Sequence, residues 1–306
     1  MLSAKWLILA LAACAVGETG AHLYFKNRAP SQPQWRSLAP KVAAIYHPSD
    51  CIAVAPRWGE PLARAALGDA LMPVEKVARA DNESCERVIQ IGFLGQSDAS
   101  IVSWAEAARH KEGPFLISVR TNPQWEPSRY SFIDHLDPGS LSVTVVRGSN
   151  SEACSFSENA PSSSGGLGGD PTSPRHRFNC PGGSFHWVGV TIIDDERYYP
   201  RRCIWAPPNR GGPVMLRFDR VTLGRKMVGH AGGPWLMVRD GIGPPVKLSA
   251  TVNQQPIGQA LLRDTEGWVR FEWDTRALEN TTADVSLTVE GTPRVEQRFC
   301  FTLDAR

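Results

Sequence analysis

From Phe185 to the C-terminus the chain breaks into short apolar runs rich in β-branched residues and separated by turn formers, and that punctuation leaves few folds open. The runs are "FHWVGVTII" (185–193), "VMLRFDRVTL" (214–223), "WLMVR" (235–239), "VKLSATV" (246–252), "WVRFEW" (268–273), "VSLTV" (285–289) and "RFCFTL" (298–303). Strands of this length at this spacing predict an antiparallel β-sandwich of jelly-roll type. Alternation assigns the faces, because successive strand side chains point to opposite sides. Val246, Leu248, Ala250 and Val252 share one face, and Lys247, Ser249 and Thr251 the other. Likewise Val269, Phe271 and Trp273 oppose Trp268, Arg270 and Glu272, which leaves the second set as candidate surface.

The preceding half reads differently. "CIAVAP" (51–56), "VIQIGF" (88–93), "FLISVR" (115–120) and "LSVTVV" (141–146) have the length and composition of buried strands. "LAPKVAAIY", "EPLARAALGDAL", "SIVSWAEAARH" and "RYSFIDHL" read as helices between or before them, with Gly113-Pro114 and Pro138-Gly139 as stops. Strands alternating with helices imply a mainly parallel α/β sheet covered on both faces. The expected organisation is therefore a leader or anchor at 1–28, a linker at 29–37, an α/β domain at 38–147 and a β-sandwich at 148–306. Within the last, the Gly/Pro/Ser-rich stretch 157–176 reads as an exposed loop.

Seven cysteines are present, and Cys14 lies in the apolar leader. The other six contain no CxxC pair, which argues against a zinc ribbon or a thioredoxin-type site. An even number suits three disulfides in an oxidising compartment. Chain organisation favours Cys51 with Cys85, Cys154 with Cys180 across the turn-rich loop, and Cys203 with Cys300.

"MLSAKWLILALAACAVGETGAHLYFKNR" starts basic and runs apolar from Trp6 to Gly17, the pattern of an export signal. Trp6 to Phe25, at about 1.5 Å per residue, reaches the thickness of a hydrocarbon layer, so a retained transmembrane anchor leads. Glu18 and His22 near its outer end, and Lys26 and Arg28 beyond, weigh against it. Cleavage after Thr19-Gly20-Ala21 is one alternative; lipidation at Cys14, since Leu11-Ala12-Ala13-Cys14 resembles a bacterial lipobox, is another. Either way the folded part is exported, facing the periplasm or exterior or secreted. The net charge of +2 is carried by this leader, where Lys5, Lys26 and Arg28 outnumber Glu18. The remainder is neutral and has no basic stripe, which excludes a nucleic-acid binder.

No GxGxxG, GxxxxGK[ST] or GxSxG motif occurs; Gly182-Gly183-Ser184-Phe185 ends in His186 rather than glycine. The densest chemistry is "GVTIIDDERYYPRRCIW" (189–205), where Asp194, Asp195 and Glu196 meet Arg197, Arg201 and Arg202. Such acids and arginines can neutralise one another and order a turn through bidentate pairs, a scaffold role. A structural calcium held by Asp194, Asp195 or Asp240 with backbone carbonyls is a second use. A catalytic pair, Asp195 or Glu196 with Asp240 or Glu266, would need one acid kept protonated, which neighbouring arginines oppose. Ligand-binding candidates are Trp268 and Trp235 for stacking on sugar faces, Tyr198 or Tyr199 at the rim, and His230 in "GHAGGPW". Against each stands the ordinary role of a large aromatic or a lone histidine in a core.

Two resemblances extend this reading. "SLAPKVAAIYHPSDCIAVAPRWGEPLARAALGD" (37–69) resembles the extracytoplasmic segment after the last membrane helix of some multi-spanning lipid-linked glycosyltransferases. It implies an envelope location and a sugar-related context; the membrane helices bearing that family's catalytic residues are absent, so none carries over. "VKLSATVNQQPIGQALLRDTEGWVRFEWDT" with "VSLTVEGTPRVEQRFCFTL" is similar to galactose-binding-like jelly rolls. That resemblance implies binding of sugars or other ligands through variable loops, often beside a structural calcium. The expected function is recognition of carbohydrate or another envelope ligand by an exported, membrane-tethered protein without catalysis. The alternatives are an envelope glycan hydrolase or transferase, and a non-catalytic partner of a membrane glycosyltransferase.

Overall fold

The computed structural model describes residues 4–163, 171–183, 185–209, 211–241, 243–292 and 297–306. The chain divides into two compact units: residues 1–77 with 82–125, and residues 78–81 with 126–306.

The first unit begins with α1 (Ala4–Arg28) and α2 (Gln32–Ile45). Pro33 stands in the first turn of α2 and Ser31 caps it, its N–H donating to Gln34 Oε1 at 2.8 Å. The expected linker at 29–37 is therefore mostly helix, since proline is favoured at a helix start. Trp35, Leu38 and Val42 form the buried stripe of α2. In α1, by contrast, Trp6, Ile8, Leu9, Leu11, Val16, Leu23 and Tyr24 are exposed, from 50% at Leu23 to 73% at Val16. Among the described residues no helix is long and apolar enough to cross a membrane, so the expected transmembrane span is not found. Glu18, with Gly17, Thr19 and Gly20 beside it, cuts the apolar run. Because α1 lends almost nothing to the core, deleting residues 1–28 is expected to change stability by less than about 0.5 kcal/mol. Denaturant unfolding of the full and shortened chains followed by circular dichroism checks this.

The unit continues through β1 (Cys51–Ala55), α3 (Glu60–Leu67), α4 (Val74–Val77), β2 (Arg87–Phe93), β3 (Ala105–Glu112) and β4 (Phe115–Thr121). The sheet order is β1-β2-β4-β3. Only β1 and β2 run parallel; β2–β4 and β3–β4 are antiparallel, which corrects the expected mainly parallel sheet. The difference lies in "SIVSWAEAARH", expected as a helix, whose second part is edge strand β3. Glu112 pairs with Phe115, so Gly113-Pro114 closes a hairpin instead of stopping a helix. Residues of α2 and α3 pack with Ile52, Val54, Ile89, Ile91 and Phe93 in one core. The Cys51–Cys85 bond, Ala53, Val88 and Ile101 form a second, smaller cluster. Asp50, buried at the start of β1, accepts Arg87 Nε at 2.7 Å and fixes β1 beside β2.

The second unit comprises β5 (Tyr130–Ser131), β6 (Leu141–Arg147), β7 (Asn150–Ala153), β8 (Ser155–Ser157), β9 (Arg177–Asn179), β10 (Trp187–Asp194), β11 (Pro200–Trp205), β12 (Val214–Thr222) and β13 (Lys226–Gly232). It ends with α5 (Trp235–Asp240), β14 (Val246–Val252), β15 (Gln255–Leu262), β16 (Val269–Asp274), β17 (Thr282–Glu290) and β18 (Cys300–Ala305). One sheet runs β16-β13-β18-β11-β10-β9-β8 with β5 on β18, the other β15-β14-β17-β12-β6-β7, and the pairings are antiparallel. Inward residues of both sheets, among them Phe218, Leu248, Val285, Met227 and Phe301, share one core, so the unit is a β-sandwich. The alternation in β14 holds residue by residue, with Val246, Leu248, Ala250 and Val252 buried.

Three expectations fail here. "LSVTVV" is the strand β6, but it pairs with β12 in the sandwich rather than joining the first sheet. "RYSFIDHL" is β5 and a short 3-10 turn; its Tyr130 and Phe132 rings enter the sandwich core, which outweighs helical periodicity. "WLMVR" is helix α5, opened by Pro234 and followed by Gly241 at φ +59°. A run of four apolar residues does not separate strand from helix by periodicity. The three disulfides pair as expected: Cys51–Cys85, Cys154–Cys180 and Cys203–Cys300, with Cys14 free.

Candidate functional site

β10 and β11 form a hairpin with Asp194 opposite Pro200, and the acid-arginine stretch is its tip. Asp195 builds that tip. Its Oδ1 accepts the N–H groups of Arg197 and Tyr199, both at 2.9 Å. Its Oδ2 accepts Arg201 Nε at 2.8 Å, and the two side chains are 1% and 9% exposed. Arg201 Nη1 donates to the carbonyls of Arg79 and Ala80 at 3.0 and 2.6 Å. These contacts tie residues 78–81 to β11, where Arg202 N–H also donates to Ala78 O at 2.6 Å. Asp195 and Arg201 are thus a built ion pair.

Trp268 and His230 lie against this pair. The His230 ring is parallel to Trp268 at 6.3 Å, and its Nε2 is 3.0 Å from Asp81 Oδ2. The Arg201 guanidinium stands 6.0 Å from the Trp268 ring and 5.9 Å from that of Tyr199. Trp268 N–H donates to Glu196 Oε2 at 3.1 Å. Gly267, at φ +71°, makes that approach feasible, since a Cβ there would lie 2.4 Å from the Glu196 carboxyl carbon. Trp268 also packs on the cluster of Trp187, Trp205 and the Cys203–Cys300 bond. It is half-buried, and its backbone N–H and ring both contact the hairpin.

Tyr198 is placed the opposite way. At φ +61° on the hairpin tip it is 61% exposed, and its ring stands 4.9 Å from Trp235 at an angle of 41°. The Arg239 guanidinium lies 4.9 Å from the Trp235 ring. Packing against α5 therefore holds an open aromatic surface beside a cation. Contacts link Tyr198, Trp235, Tyr199, His230, Trp268 and Asp195 into one neighbourhood, although they come from separate stretches of sequence. Asp81, Glu196 and Arg239 complete it. Asp81 carries no signal in "RADNESC", and only the fold delivers it to His230.

The acids of this neighbourhood are held in different ways. Both Asp195 oxygens are engaged in the turn, Oδ1 by two backbone N–H groups and Oδ2 by Arg201. The Asp194 carboxyl is pushed above its ordinary range by burial and by the Asp195 charge beside it. The side chain of Asp240 lies outside the described residues. Among the described residues no group of three or more His, Cys, Asp or Glu is gathered to hold a metal ion. Of the acids considered for catalysis, Glu196 is held by Trp268 N–H, with Arg197 3.5 Å away, and Glu266 by Arg263 at 3.1 Å.

Fold and site together define a disulfide-linked β-sandwich that presents an aromatic ledge at one hairpin tip. No family profile and no curated protein matches the chain, so the resemblance of residues 38–69 to a glycosyltransferase segment stands without a matching family. Among solved structures the chain is similar to the CBM51-2 and INT domains of Clostridium perfringens ZmpB, at 8% identity over 55% of this chain and 38% of that one, with TM-score 0.27. It is similar to the C-terminal CBM6 of the Zobellia galactanivorans laminarinase LamC, at 7% identity over 38% and 88%, with TM-score 0.26. A β-1,3-glucan-binding CBM6 from Bacillus halodurans gives 14% identity over 39% and 86%, with TM-score 0.27. At such TM-scores these likenesses carry no argument about the ligand.

Proposed function

We propose that this chain is an exported carbohydrate-binding protein without catalysis, and that Tyr198 on Trp235 is its sugar platform. The observation that carries the reading is the exposed Tyr198 ring, fixed by Asp195 behind it and Trp235 beneath it. A sugar ring presents an apolar C–H face that stacks on such a surface, and its hydroxyls seek charged hydrogen-bond partners at the rim. Arg239 is close enough to Trp235 to be such a partner. Three disulfides support an oxidising compartment. The unpacked apolar side chains of α1 support reading residues 1–28 as an export signal or membrane tether.

The test is a glycan panel in thermal-shift and affinity-electrophoresis assays, with calcium and with chelator. One glycan class should raise the melting temperature. Tyr198→Ala should then weaken binding about tenfold while changing stability by less than about 0.5 kcal/mol, as expected for an exposed side chain. Affinity unchanged in Tyr198→Ala, or no glycan shifting the transition, would sink the reading.

A further inference from the structure

The sandwich carries a second concavity that shares no lining residue with the ledge, and its use is independent of the sugar reading. It is an open cleft of about 640 Å³, inside the range of small-ligand sites. Two stretches of chain supply most of its lining: residues 134–138 beyond β5, and β8 with the residues leading into β9. Leu136 and Phe156 are half-buried and pack on the sandwich core, and with Val190 they give the cleft an apolar lining. The Cys154–Cys180 bond and the β8–β9 pairing fix one side.

The charges around that apolar surface are of both signs. Among the described residues the Asp137 side chain accepts only the Gly139 N–H, at 2.9 Å. Asp134 lies 3.4 Å from Arg202, a long contact. Glu158, Arg175 and His176 make no side-chain hydrogen bond or ion pair among the described residues, yet all three line the cleft. A simple cation would meet Arg175 there, and a simple anion would meet Glu158 and Asp137. A neutral molecule would leave both signs uncompensated on desolvation.

We propose that this cleft binds a peptide segment that carries an ammonium group and a carboxylate on either side of an apolar side chain. The ammonium is met by Glu158 and Asp137, the carboxylate by Arg175, and the apolar side chain by Leu136 and Phe156. Charge-assisted hydrogen bonds of this kind are among the stronger ones available to a surface site.

Isothermal titration of the full chain with acetyl-Lys-Leu-Glu-amide and, as the uncharged counterpart, acetyl-Gln-Leu-Gln-amide tests this. The charged peptide should bind about tenfold or more tightly than the neutral one, and Glu158→Gln and Arg175→Gln should each lower its affinity about tenfold. Both side chains are exposed, so neither substitution threatens the fold. Val190→Trp should fill the cleft and abolish binding, whereas Tyr198→Ala should leave it unchanged. Equal affinity for the two peptides, no heat with either at millimolar concentration, or undiminished binding by both the Glu158→Gln and Arg175→Gln variants would overturn the proposal.

Discussion

Replacing Cys203 and Cys300 together by alanine is expected to lower stability by about 4 to 5 kcal/mol, the largest loss among the three disulfides. The bond closes 97 residues, against 34 for Cys51–Cys85 and 26 for Cys154–Cys180. A longer closed loop removes more entropy from the unfolded chain, and the two shorter loops are each worth about 3.5 kcal/mol on the same scale. Its position adds to the effect. β11 and β18 meet in the middle of the larger sheet, but they pair only at Ile204 with Phe301 and Trp205 with Cys300. The covalent bond reinforces a junction that has few ladder hydrogen bonds. Both sulfurs are buried beside Trp187 and Trp205, and Trp268 packs on the same cluster. Denaturant unfolding followed by tryptophan emission should therefore show a lower midpoint and an earlier red shift. If the Cys154/Cys180 double variant were the less stable of the two, loop length would not be the governing quantity.

That pairing is legible in part: Cys51 and Cys85 precede the change of composition near Gly148, and of the three pairings open to the four cysteines beyond it, the turn-rich loop bracketed by Cys154 and Cys180 favours one. The sandwich is legible for the same kind of reason: β14 alternates perfectly, and period two has one interpretation when it is sustained. β13 is not, since Gly229, His230 and Gly232 interrupt its apolar pattern. Those glycines answer to tertiary contacts: a Cβ at Gly229 would lie 2.3 Å from Phe271 Cζ and 2.5 Å from Thr302 O. The sheet direction in the first unit is not legible because pairing partner, which local sequence does not encode, decides between a crossover helix and a hairpin at "SIVSWAEAARH". In the site, residue type is informative and environment is not. Tyr198 and Trp268 are alike as stacking candidates in the sequence; backbone φ and the neighbouring α5 expose the first, while the sheet and Glu196 enclose the second.

Asp195→Ala should cost about 3 to 5 kcal/mol, because it strands the buried Arg201 guanidinium without its counter-charge. The carbonyls of Arg79 and Ala80 remain as acceptors, but neutral dipoles replace only part of a carboxylate's attraction. The same substitution frees the N–H groups of Arg197 and Tyr199 at the hairpin tip, where Tyr198 already holds a positive φ. Arg201→Ala is the mirror case and should cost a similar amount, since it leaves a carboxylate 1% exposed. Removing both charges should destabilise by clearly less than the sum of the single changes, because each single loss includes the penalty of an unpaired buried ion. Additive losses in that double-mutant cycle would mean that the two side chains act independently, and the pair would then be no more than neighbours. Ligand binding separates this role from that of the platform: Asp195→Ala should weaken sugar binding together with hairpin stability, whereas Tyr198→Ala should weaken it alone. On the proposed function, the stretch of acids and arginines would thus act through the shape of the turn, and the aromatic ring it presents would make the contact.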